Sequence, residues 1–153
     1  MIEAKSKAVS RVEEEHQQLK QEMAVLKLFA MREVLNEDFD DWRLEFVWQL
    51  RDFKNRLLKH FDLEEEGGFM HEVLAVSPQS QHDVEQLKDE HLAFSKEMDR
   101  VIESVRSMRV RNPELLQLVR VNLNEIILNL RNHENDEHRL IQRAFYREYG
   151  GPA

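Results

Sequence analysis

Apolar side chains recur every three to four positions along four stretches of the chain, which is the period of one face of an α-helix. The first stripe runs Val12, His16, Leu19, Met23, Leu26, and the second Phe46, Leu50, Phe53, Leu57, His60, Glu64. The third reads Val84, Leu87, His91, Phe94, Met98, Val101, Val105. The fourth reads Leu116, Val119, Leu123, Ile126, Leu130, His133, Glu137, Leu140. Helix-breaking chemistry falls between them. Asn36-Glu37-Asp38-Phe39-Asp40-Asp41 is a turn that ends in N-capping residues. Gly67-Gly68 can supply a left-handed residue that closes a helix. Ser77-Pro78-Gln79-Ser80 is a second break, with a fresh start at Gln81 or His82. Asn112-Pro113-Glu114 reads as an N-cap, a proline at the first helical position and an acid in the first turn, and Gly150-Gly151-Pro152 closes the chain. The spacing therefore predicts helices over roughly 6–35, 41–66, 81–108 and 113–148. Four amphipathic helices with short connections make an all-α, up-down-up-down antiparallel four-helix bundle, one domain over residues 1–153.

Polar residues interrupt every stripe. Each carries a histidine in a core register, and on the second and fourth a glutamate follows four residues later, giving His60-x-x-x-Glu64 and His133-x-x-x-Glu137. Ionisable groups are rarely buried unless they are paired or bound to a metal, because desolvation costs several kcal/mol each. The helical rise places all four histidines at one height. His16 lies nineteen residues before a turn near Leu35, and His60 nineteen after a start near Asp41. His91 lies eighteen before a turn near Arg109, and His133 twenty after Pro113. The hairpins also repeat each other, with forty-four positions between His16 and His60 and forty-two between His91 and His133. Imidazole and carboxylate are ligands of Fe, Mn and Zn, and a carboxylate can bridge two ions. Four histidines with two glutamates are too many donors for one tetrahedral ion and suit a dinuclear site.

Composition narrows the class. The 153 residues are 41% hydrophobic and 34% charged, with 4 Gly and 3 Pro, enough apolar material for one core and few breakers. The absence of cysteine excludes a disulfide framework, a thiolate zinc site and a cysteine nucleophile. A net charge of −8 argues against nucleic acid as a partner. The charged start, MIEAKSKAVSRVEEEHQQLK, does not read as a signal peptide, and no stretch reaches the ~20 apolar residues of a membrane span. The expectation is a soluble, cytoplasmic protein with no membrane partner.

At these residues the chain resembles the hemerythrin and HHE cation-binding family, whose pattern is Glu-His followed by His-x-x-x-Glu, given twice. Here it reads Glu15-His16, His60 to Glu64-Glu65, Glu90-His91 and His133 to Glu137, across about residues 12–140, and Gly67-Gly68-Phe69 is similar to many bacterial members. The resemblance implies a hemerythrin-like bundle holding two non-haem, carboxylate-bridged Fe ions. Glu64 and Glu137 would bridge, with His16 and His60 on one side and His91 and His133 on the other. Iron rests on the resemblance, since the donors suit Mn or Zn as well. The O2-carrying members have a fifth histidine one turn from the third-helix ligand, where this chain has Leu87 and Ser95. They also place an aspartate five residues after the last histidine, where this chain has Glu137 at four. Both departures point away from simple reversible carriage. The function implied is binding or sensing of O2, NO or peroxide, ahead of a peroxidase- or oxidase-like enzyme or of iron storage or a metal-ordered interaction module. A ferritin-like site needs Glu-x-x-His on two helices; only Glu13 to His16 fits, and Lys88 stands three before His91.

The remaining candidates read as structure. His82 sits near a helix start, His71 in a loop after the glycines, and His138 about 100° from the face of Glu137. Glu65, Glu66, Glu90 and Glu134 read as solvated charge, with a supporting hydrogen bond to an imidazole open to Glu15 or Glu90. Trp42, Trp48, Phe46, Phe53 and Phe94 read as core, and the basic run Arg106–Arg111 as complement to a helix dipole.

Overall fold

The computed structural model describes residues 6–146, and within them the chain is helical with no strand. Helix α1 spans Lys7–Ala30, α2 Phe39–Glu66, α3 Phe69–Val76, α4 Gln81–Arg106 and α5 Pro113–Phe145. The four long helices pack together, α1 on α2, α2 on α4, α4 on α5 and α5 on α1. None is long and apolar enough to cross a membrane among the described residues.

Local chemistry sets the ends. Ser6 caps α1 by accepting from the backbone N–H of Val9, and the Asn112 carboxamide accepts from Glu114 and Leu115 at the start of α5, beside Pro113. Gly68 has φ of +102°, the left-handed residue anticipated after α2. Gly67 is required for a different reason: a Cβ there would lie 2.3 Å from the Leu63 carbonyl oxygen. The first helix stops at Ala30 rather than near residue 35, and the expected end of the last near 148 lies, with Gly150-Gly151-Pro152, outside the described residues.

The long helices meet through matched pairs. Trp42 Nε1 donates to the Phe29 carbonyl and Arg56 pairs with Glu22 between α1 and α2. Arg43 donates to the Arg106 carbonyl and Lys54 pairs with Asp99 between α2 and α4. Arg143 pairs with Asp83 between α4 and α5, and Arg120 donates to the Ala30 carbonyl between α5 and α1.

Every apolar residue of the four stripes is buried. They form two clusters. The larger, around Phe46, Leu50, Met98 and Leu123, fills one end of the bundle. The smaller joins Val9, Val12, Val84, Leu87, Leu140 and Ile141 to Phe69, Met70 and Val73 of α3. The segment after the glycines is therefore a short helix that supplies apolar cover, not a loop, and His71 is exposed on it. Trp48 departs from expectation as well: at 62% exposure it lies outside the core.

Candidate metal centre

Between the two apolar clusters lies a polar layer. α1 delivers His16, α2 His60 and Glu64, α4 His91, and α5 His133 and Glu137, the helical i,i+4 spacing setting each His/Glu pair on one face. The structure brings all six together. Glu64 and Glu137 are 0% exposed, and His60, His91 and His133 are also buried, with His16 half-buried.

Their Nε2 atoms converge on the two carboxylates. His60 Nε2 and His16 Nε2 lie 2.9 and 3.4 Å from Glu64 Oε2, and His16 Nε2 is 3.0 Å from Glu137 Oε1. On the other side His91 Nε2 is 2.9 Å from Glu64 Oε1, and His133 Nε2 is 3.4 Å from Glu137 Oε2. Two four-donor groups result, His16/His60/Glu64/Glu137 and Glu64/His91/His133/Glu137, each with one donor atom per residue within 4.8 Å of the others. The carboxylates belong to both groups. This is the geometry in which a carboxylate can span two cations.

Carboxylates also hold the far side of three rings. Glu15 Oε1 is 3.1 Å from His60 Nδ1, Glu65 Oε2 is 2.6 Å from His91 Nδ1, and Glu90 Oε1 is 2.6 Å from His133 Nδ1. A carboxylate on Nδ1 accepts its proton and leaves Nε2 free as a donor atom to a metal. In each hairpin the acid preceding the first helix's histidine reaches the histidine of the second helix. The imidazole contacts left open to Glu15 and Glu90 are both made, Glu65 is also a partner and not the solvated charge expected, and Glu66, His82 and His138 are exposed as anticipated. The role of Glu65 was missed because its signal is indirect: one position after an inward Glu64, it turns about 100° toward the adjacent helix. Phe61 stacks on His91 at 3.8 Å between ring centroids, and Phe94 meets His133 edge-on at 5.4 Å.

Electrostatics matches a site built for positive charge. Burial opposes imidazolium at His16 and His133, yet the Glu137 and Glu64 carboxylates outweigh it and raise them to about 10 and about 11. His60 is raised in the same way, burial again opposing and Glu64 prevailing. Burial pushes Glu64 up, but the neighbouring Glu137 carboxyl group and the surrounding imidazoles hold it well below the usual carboxylate range. Burial and the Glu64 charge push Glu137 up. Glu64 Oε1, both oxygens of Glu137 and His60 Nε2 are buried and face one another at ion-pair distance, but make no well-aligned hydrogen bond among the described residues. Leaving such atoms unmade costs about 1–3 kcal/mol each, more when charged. Two metal cations would satisfy all of them at once, so the residues present fit a dinuclear metal centre with nitrogen and oxygen donors.

Compared with known proteins, the chain matches no family model, no curated protein and no solved structure.

Proposed function

We propose that the chain is a hemerythrin-like, up-down-up-down antiparallel bundle holding two non-haem irons, and that it binds or senses O2, NO or peroxide there. The observation that carries this reading is the pair of fully buried carboxylates shared by four converging Nε2 atoms, three of whose oxygens make no aligned hydrogen bond. His16 and His60 would hold one ion and His91 and His133 the other, with Glu64 and Glu137 common to both. Iron held by these residues would supply a redox-active centre able to take a small ligand.

The protein's own residues do the rest. Glu15, Glu65 and Glu90 fix three imidazoles in the tautomer that presents Nε2. Phe61, Phe94 and the two apolar clusters keep bulk water from the donors. Leu87, buried in the smaller cluster, and Ser95, half-buried, have no side-chain nitrogen to add to the His91/His133 side. Each side therefore carries two imidazoles and the shared carboxylates.

The test is spectroscopic. Protein loaded with ferrous iron without air should change its near-ultraviolet and visible absorption on exposure to O2 or NO. Iron retained with no response to O2, NO or peroxide would reduce the site to storage or to ordering the bundle. Steady-state peroxide turnover with a reductant would shift the assignment to the redox-enzyme alternative.

A further inference from the structure

Three of the four imidazoles are backed by a carboxylate, and His16 is not. The two hairpins repeat, so that His16 corresponds to His91, His60 to His133, and the pair Glu64-Glu65 to Glu137-His138. Glu15 and Glu90 act alike in the two halves, each on the Nδ1 of the next long helix's histidine. Glu65 reaches from α2 to the Nδ1 of His91 on α4. Its counterpart on α5 is His138, which is exposed. His138 follows Arg120 by eighteen residues, five full turns, and the Arg120 guanidinium bonds the Ala30 carbonyl of α1. Position 138 therefore stands on the flank of α5 that faces α1, as Glu65 stands on the flank of α2 that faces α4. The repeat is broken there by a side chain without a carboxylate.

The His16 ring shows the consequence. Among the described residues every hydrogen-bond and ion-pair partner of His16 lies at Nε2. Its side chain is 13% exposed, against 3% for His60, 4% for His91 and 2% for His133. Glu134, half-buried on α5, acts on His16 through its charge and makes no hydrogen bond with the ring among the described residues. The Arg120 tie between α1 and α5 lies about 21 Å along α1 from His16. A ring with no fixed bond at Nδ1 is free to turn, and turning carries Nε2 away from the shared carboxylates. His91, by contrast, is held by Glu65 and covered by the Phe61 ring.

We propose that His16 is the releasing ligand of the centre: the ion held by His16 and His60 exchanges through the solvent-exposed edge of His16 between α1 and α5, while the ion held by His91 and His133 stays fixed. The inference rests on the dinuclear reading above and adds an order of loss to it. Outer partners of metal-bound imidazoles are worth about 10–100-fold in affinity, so the two ions should leave at rates at least about tenfold apart.

The experiment mixes protein loaded without air with two ferrous ions per chain into an excess of a chromophoric ferrous chelator, and follows release by absorbance. Wild type should release its iron in two phases of one ion each. His138→Glu places a carboxylate at the position equivalent to Glu65, and should slow the fast phase about tenfold with the slow phase within about twofold of wild type. Glu65→Ala should do the reverse, bringing the slow phase up to the fast one, and it keeps the test decisive if His138→Glu fails to fold. Circular dichroism of the metal-free variants checks the helices. Release of both ions from wild type in a single phase overturns the proposal alone. So does an unchanged fast phase in folded His138→Glu, an equal slowing of both its phases, or an unchanged slow phase in Glu65→Ala. A wild-type chain that takes up fewer than two ions overturns this proposal together with the reading beneath it.

Discussion

Replacing Glu90 by alanine removes the acceptor 2.6 Å from His133 Nδ1 without touching any of the six converging donors. Three effects compete. The ring loses the bond that fixes its tautomer, which for a metal-bound imidazole costs about 10–100-fold in affinity. The Nδ1–H loses its partner, about 1–3 kcal/mol if nothing replaces it. Water can replace it, because Glu90 lies at the edge of an open groove beside Gln86, Asp136 and Arg139, with its side chain 30% exposed. The third effect pulls the result to the low end: about tenfold weaker metal binding, or ~1.4 kcal/mol. Competition against a chromophoric chelator at fixed pH gives the affinity, and circular dichroism of the metal-free variant checks that the helices remain. Glu65→Ala, which frees His91 Nδ1 in the same way, should behave alike. Affinities within twofold of wild type for both variants would refute the claim that these carboxylates orient the donors.

Other expectations follow from the same geometry. His60→Ala and Glu137→Ala should each lower bound metal sharply, while His82→Ala, altering an exposed residue, should leave it unchanged; elemental analysis decides. At pH 7 the metal-free protein carries His16 and His133 as imidazolium, because they are raised to about 10 and about 11. Loading must then expel about two protons from these rings, measurable by calorimetry in buffers of different ionisation enthalpy. Their folded values lie above the unfolded one, so their contribution to metal-free stability is complete below about pH 6.5 and is lost as pH rises through 10 to 11. Phe46→Ala should cost about 3–5 kcal/mol in denaturant unfolding, since the ring is fully buried 4.9 Å from Trp42. It should leave metal stoichiometry intact, because position 46 lies about 21 Å along α2 from His60.

The long helices and the six central residues were legible because both depend on period and count. A stripe at 3.6 spacing is a direct projection of a buried face, and equal rise per residue carries heights across a turn without knowledge of packing. What escaped depends on neighbours. Helix α3 is short, and its apolar Phe69, Met70 and Val73 acquire meaning only against Val9, Val84 and Ile141. Trp48 is apolar by type, but its place on α2 turns it to solvent. Glu65 and Glu134 sit one position from an inward residue, where period alone assigns solvent, and for Glu90 it left the imidazole contact open. Whether such a carboxylate reaches an adjacent helix is set by where that helix stands. The two short bonds to His91 and His133 could be read only from coordinates.

The central claim is that one chain holds two metal ions between its four histidines and two shared glutamates. Elemental analysis of protein purified without chelators, with concentration fixed by amino-acid analysis, tests it most directly. The account predicts two irons per chain, falling to one or none in Glu64→Ala. No metal, or a single ion unaffected by loss of Glu64, would contradict it and leave a helical bundle with a buried polar layer of another purpose.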